Sequence, residues 1–189
     1  MMRKYIPAVL VLFFVALAGC QSAAEMNAVD FYERFNAIAG RETLSLDRTV
    51  SEKADKEIKY SCLFERTGSP ERFLLTMYAP SEGGNVFSCH VTMLFHPNSS
   101  EAAAKGIPEE FIQLSKAAIE AFTKSSEEKA GALLKELGAG ASQPVQYTTT
   151  RKEEKLFRYS LVVNDVGATL KIENTLLCPT TVPDLTLRQ

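Results

Sequence analysis

The chain has 189 residues, 46 % of them hydrophobic, with 21 basic and 23 acidic side chains and a formal net charge of −2. That is length enough for one domain with a hydrophobic core of its own. Beyond residue 19 there is no Lys/Arg cluster or basic stripe, which argues against polyanion binding and so against a nucleic-acid partner.

Arg3 and Lys4 precede an uncharged, apolar run from Tyr5 to Ala18. Its 14 residues fall short of the ~20 a helix needs to cross a bilayer, and it ends in small residues rather than a basic flank. That is the shape of an export signal. The exit Leu17-Ala18-Gly19-Cys20 resembles the lipobox of bacterial lipoprotein signal peptides, where small residues fit the signal peptidase and the following cysteine thiol takes a diacylglyceryl group.

The resemblance implies a leader over residues 1–19, cleavage after Gly19, lipidation of Cys20, and a membrane partner reached through two or three acyl chains, since a single chain holds only marginally. It implies an extracytoplasmic location. Gln21, not being Asp, points to the outer membrane in a Gram-negative cell, and a Gram-positive cell would hold the chain on the outer face of its cytoplasmic membrane. Without the leader 170 residues remain (189 less 19), short for a two-lobed solute-binding protein, and 19 basic against 23 acidic side chains give a net charge of about −4.

Cys20 to Asn27 read as a lipidated tether of small and polar residues. Asp30-x-x-Glu33, with Phe31, Phe35 and Ile38 at helical spacing and Gly40 as a stop, predicts a helix over Val29–Ala39. Arg41 to Lys56 is weakly periodic and reads as a connection with room for a helical turn near Ser51. From Glu57 the period is two, with Ile58, Tyr60, Cys62 and Phe64 on one face. Turns at Thr67–Pro70 and Ser81–Asn85 then separate a strand over Phe73–Tyr78 from one in which Phe87, Cys89, Val91, Met93 and Phe95 alternate with Ser88, His90, Thr92 and His96.

Pro108-Glu109-Glu110 opens a helix carrying Phe111, Ile112, Ala118, Ile119 and Phe122. Ser125-x-x-Glu128 reads as the capping box of another, with Ala130, Leu133, Leu134 and Leu137 as its buried stripe and Gly138 as its end. Strand patterns return at Val145–Thr150, Leu156–Val163 and Ala168–Leu177, with a hairpin turn at Asn164–Gly167.

The expected fold class is α+β: an antiparallel sheet or sheets built from two three-strand meanders, each preceded by helix (α-βββ-αα-βββ), with helices packed on one face. The expected division is a signal peptide over 1–19, a lipidated tether over 20–27, one domain over 28–178 and an irregular tail over 179–189.

Apart from Cys20, three cysteines remain, so at most one disulfide can form within the chain. Cys62 and Cys89, or one of these with Cys178, are the residues it would join; strands one and three of a meander lie ~10 Å apart, beyond the ~7 Å a disulfide spans, and free buried thiols are the other reading. His90 and His96, six residues apart on one strand, are ~20 Å apart and cannot share a metal. Ser126-x-x-Lys129 resembles the short signature of penicillin-recognising enzymes, but neither Ser-Asp-Asn nor Lys-Thr-Gly occurs, and a helix-opening serine is the simpler reading. Glu109-Glu110, Glu127-Glu128 and Glu153-Glu154 read as solvated faces, because neighbours on a helix diverge by about 100°.

No catalytic, cofactor-binding or metal residues are therefore assigned, and no cofactor is expected. The expected function is binding or scaffolding at the membrane surface, toward an envelope protein or a small ligand. Two rivals are an envelope hydrolase, which needs a serine or carboxylate within reach of His90 or His96, and a ligand receptor, which needs a cavity lined by the sheet.

Overall fold

A computed structural model of the chain describes residues 25–40, 47–50, 57–65, 72–94, 107–139, 148–154, 156–164 and 167–178. The expected leader over 1–19, Cys20, the expected Thr67–Pro70 turn, His96, the first residues of the strand expected from Val145 and the expected tail over 179–189 lie outside these residues.

The fold is α+β, with three helices and an antiparallel sheet. In chain order the elements are α1 (Ala28–Ala39), β1 (Asp47–Val50), β2 (Ile58–Glu65), β3 (Arg72–Ala79), β4 (Ser88–Leu94), α2 (Glu109–Thr123), α3 (Glu127–Glu136), β5 (Thr148–Glu154), β6 (Phe157–Val163) and β7 (Gly167–Asn174). The sheet has seven strands in the order β1-β2-β3-β4-β7-β6-β5. β4 and β7 make the central seam, where Cys89 pairs with Ile172, Val91 with Leu170 and Met93 with Ala168.

Several local expectations shift, each for a reason in the backbone. α1 starts one residue early because Asn27 caps it: its side-chain oxygen accepts from the Asp30 N–H at 2.9 Å, satisfying a donor that the first turn leaves unpaired. Gly40 stops it as expected, with φ of 65° in the left-handed region. α3 is capped by Ser126 rather than Ser125, through a bond from the Lys129 N–H. That gives Ser126 a structural role, while Lys129 reaches Glu154 at 3.0 Å.

The segment read as a connection with room for a helical turn contains β1, an edge strand on β2 with Arg48 opposite Tyr60; Ser51 lies outside the described residues. At the other edge, β5 runs later than its apolar residues suggested, into Arg151-Lys152-Glu153-Glu154. A charged edge strand pairs with its neighbour on one side and offers a poor template on the other. Glu153 bonds Arg158 at 2.7 Å across the β5–β6 ladder, so Glu153 and Glu154 sit on a strand and serve ion pairs.

The period-two patterns decide the layers. Phe73, Leu75 and Met77 of β3, Cys89, Val91 and Met93 of β4, Phe157, Tyr159 and Leu161 of β6, and Leu170 and Ile172 of β7 are buried, together with Phe31 and Phe35 of α1, Phe111, Ile119 and Phe122 of α2, and Leu133 and Leu134 of α3. Each such side chain contributes roughly 1.5–3 kcal/mol by leaving water. Phe122 ties the layers together: its ring meets Phe31 edge-on at 5.8 Å and Phe157 at 5.7 Å.

Candidate functional site

Two surfaces merit a chemical reading. The first is the polar face of the sheet, which the alternation of β4 and β7 aims away from the buried aliphatic side chains. Ser88, His90 and Thr92 of β4 lie opposite Glu173, Lys171 and Thr169 of β7. Thr169 donates to Thr92 at 3.2 Å, and the Lys171 ammonium holds Glu173 at 2.7 Å. Cys178, on the turn after β7, reaches the same Glu173 carboxylate at 3.7 Å.

His90 is the centre of this face. Its Nε2 and the Ser88 hydroxyl are 3.0 Å apart, and its ring lies 4.9 Å from that of Tyr78 on β3. Burial, with the Lys171 and Lys59 cations beside it, lowers the imidazole pKa to about 4, Glu173 opposing the shift. At neutral pH the ring is uncharged. The Ser–His distance is the one a hydrolase would need, yet Ser88 is only 3 % exposed and Glu173 is held by Lys171. A nucleophile must reach its substrate, and this hydroxyl does not.

The second surface is a depression of about 340 Å³ beside the helices, lined by Ile38 and Ala39 of α1, by Glu110, Lys116 and Glu120 of α2, and by Glu127 of α3. Lys116 bonds Glu127 at 2.7 Å, which holds the Glu127 carboxyl below the usual range. Glu120 shifts the other way, raised by burial and then by Glu127, with Lys116 and Arg34 opposing. An ion pair with a neighbouring carboxylate polarises a surface but supplies no nucleophile. All its lining residues belong to helices, so this is not a cavity cradled by the sheet.

Cys62 stands on β2 and Cys89 on β4, with β3 between them: Cys62 pairs with Leu75 and Cys89 with Met77. Both thiols are fully buried, and no disulfide joins any two of Cys62, Cys89 and Cys178. Burial pushes the Cys89 thiol up strongly, with Cys62 adding to it. Among the described residues no group of three or more His, Cys, Asp or Glu side chains could hold a metal ion, and no helix is long and apolar enough to cross a membrane.

The company of His90 was only half visible in the sequence. Ser88 shares its parity on one strand, a signal that alternation alone supplies. Lys171, Glu173 and Tyr78 come from other strands and depend on register, which no local pattern states. No family model matches the chain, and neither a curated protein nor a solved structure matches it.

Proposed function

We propose that this chain is a bacterial lipoprotein, cleaved before Cys20 and acylated there, whose domain binds or scaffolds at the membrane surface without catalysing a reaction. The observation that carries the proposal is the basic-then-apolar leader ending in Leu17-Ala18-Gly19-Cys20. On this reading the domain consists of two units, each a helical segment followed by an antiparallel meander, β1–β4 in the first and β5–β7 in the second, with the helices on one face. A non-catalytic role is supported by the buried Ser88 hydroxyl beside His90 and by the Lys116–Glu127 pair that occupies the helix-side depression.

A hydrolase reading has one observation in its favour, the 3.0 Å contact between Ser88 and His90. It requires the hydroxyl to become exposed before it can act.

The deciding experiment replaces Cys20 by Ala in cells fed labelled palmitate. Loss of label, accumulation of uncut precursor and loss of the mature membrane-bound form are expected. An unlabelled wild-type chain, or a variant processed and retained like wild type, overturns the proposal. Purified Ser88→Ala, if it abolished an esterase or amidase activity of the wild-type protein, would establish the hydrolase instead.

A further inference from the structure

The domain is tied to its N-terminal segment at one end of the sheet. The Val86 N–H donates to the Met26 carbonyl at 2.8 Å, and Asn27 bridges Asn85. The next residue along, Phe87, accepts from the Asn174 N–H at 2.8 Å at the end of β7. Met26 and Asn174 are thus bonded to consecutive residues of one extended segment, where the rise is only ~3.4 Å per residue.

Beyond Asn174 lies a tight, heavily bonded turn. Thr175 donates its N–H to the Leu156 carbonyl at 2.8 Å, the Leu177 and Cys178 N–H groups both donate to the Asn174 carbonyl, and the Leu176 N–H donates to the Asn174 side chain at 3.0 Å. With its backbone so fixed, the turn presents Leu176 at 70 % exposure and Leu177 at 37 %. Val29, in the first turn of α1 and three residues from Met26, is 54 % exposed. Apolar side chains held outward by a stiff backbone lose little further freedom when they are covered.

We propose that this end of the domain, through Leu176, Leu177 and Val29, rests on the lipid surface in which the acylated Cys20 is anchored; the inference stands on the lipoprotein reading above. Six residue steps separate Cys20 from Met26, and whatever path they take they reach no further than ~20 Å. The lipid surface is therefore the partner that covalent geometry brings within reach of these leucines. Leucine side chains gain by leaving water for the headgroup–acyl boundary. Glu25 and Asp30 are exposed at the same end, so the surface that fits is zwitterionic rather than anionic.

The chain has no tryptophan, so a single one reports its own surroundings. Full-length acylated protein carrying Leu176→Trp is reconstituted into phosphatidylethanolamine and phosphatidylcholine vesicles, with or without brominated acyl chains. Leu94→Trp, an exposed site at the far end of β4, serves as the comparison. Blue-shifted emission and about two-fold quenching by brominated lipid are expected for Leu176→Trp alone, because an indole settles at the membrane interface.

Solvent-like emission from Leu176→Trp on protein shown to be acylated and floating with vesicles overturns the seating and leaves the lipoprotein reading intact. A blue shift that brominated lipid does not quench also overturns it, by showing that protein covers the leucines. Protein without acyl chains that fails to float overturns both.

Discussion

The carbonyl oxygen of Met93 lies 1.9 Å from the point where a β-carbon on Gly167 would stand. The two residues are diagonal neighbours across the β4–β7 seam, Met93 pairing with Ala168 and Gly167 with Leu94 at the end of the ladder. No rotamer change relieves a clash with a backbone atom, so this position accepts only glycine. We expect Gly167→Ala to part the end of the seam at a cost near ~3 kcal/mol, the upper part of the usual range for overpacking, and to lower the melting temperature by roughly 5–10 °C. Calorimetry of the chain expressed without residues 1–19 and carrying Cys20→Ser measures this, and an unchanged melting temperature would refute the close approach.

The break between α2 and α3 is made by Lys124, which adopts φ of 55° at the helix C-cap without being glycine. A side chain in the left-handed region is strained, and helices that end in this conformation usually place glycine there. Lys124→Gly is therefore expected to stabilise the domain by up to ~1 kcal/mol, an uncommon sign for a substitution to glycine. Urea titrations of both proteins decide it; destabilisation would mean that the strain is offset by contacts of the lysine itself.

How much of this could be read beforehand follows a physical line. Periodic burial was legible: Phe31 and Phe35, Cys89, Val91 and Met93 of β4, and the stripe Ala130, Leu133, Leu134 and Leu137 are buried where their spacing put them, whereas Ser88 is buried against its parity. Caps were legible only to within one to three residues, because Asn27 rather than Asp30, and Ser126 rather than Ser125, takes the unpaired first-turn donor. The edge strands β1 and β5 were read least well. An edge strand buries little, so Arg151 to Glu154 carries a polar pattern that the pairing with β6 overrides. The contacts around His90 were not legible at all beyond Ser88, since Lys171 lies eighty-one positions away along the chain and meets it only through register.

His90 makes the domain's stability depend on pH with a definite sign. Its folded-state pKa of about 4 lies below the ordinary 6.5, so between those values the unfolded chain binds a proton that the folded chain refuses. The resulting stabilisation is present in full above about pH 6.5, falls as the pH drops, and levels off near pH 4, with a total on the order of 2–3 kcal/mol. His90→Gln retains a polar partner for Ser88 and cannot titrate. Unfolding free energies measured across this range should show a steeper acid loss for wild type than for the variant. Parallel curves would mean that His90 is protonated in the folded protein after all.

The three thiols should separate by accessibility. Cys62 and Cys89 are completely buried, whereas Cys178 is partly exposed, its pKa raised by burial and then by the Glu173 carboxylate. A disulfide reagent needs the thiolate in reach, so in the native Cys20→Ser protein Cys178 is expected to react first, faster with rising pH. The other two should react more than about a hundredfold more slowly, because they wait for an opening of the sheet. Glu173→Gln removes the negative charge next to Cys178 and should speed its reaction at any given pH below its pKa. Denatured, unreduced protein should yield three reactive thiols; a yield of one would mean that two of the cysteines are bridged, and mapping the bridged peptides would then identify which strands had to move to bring them together.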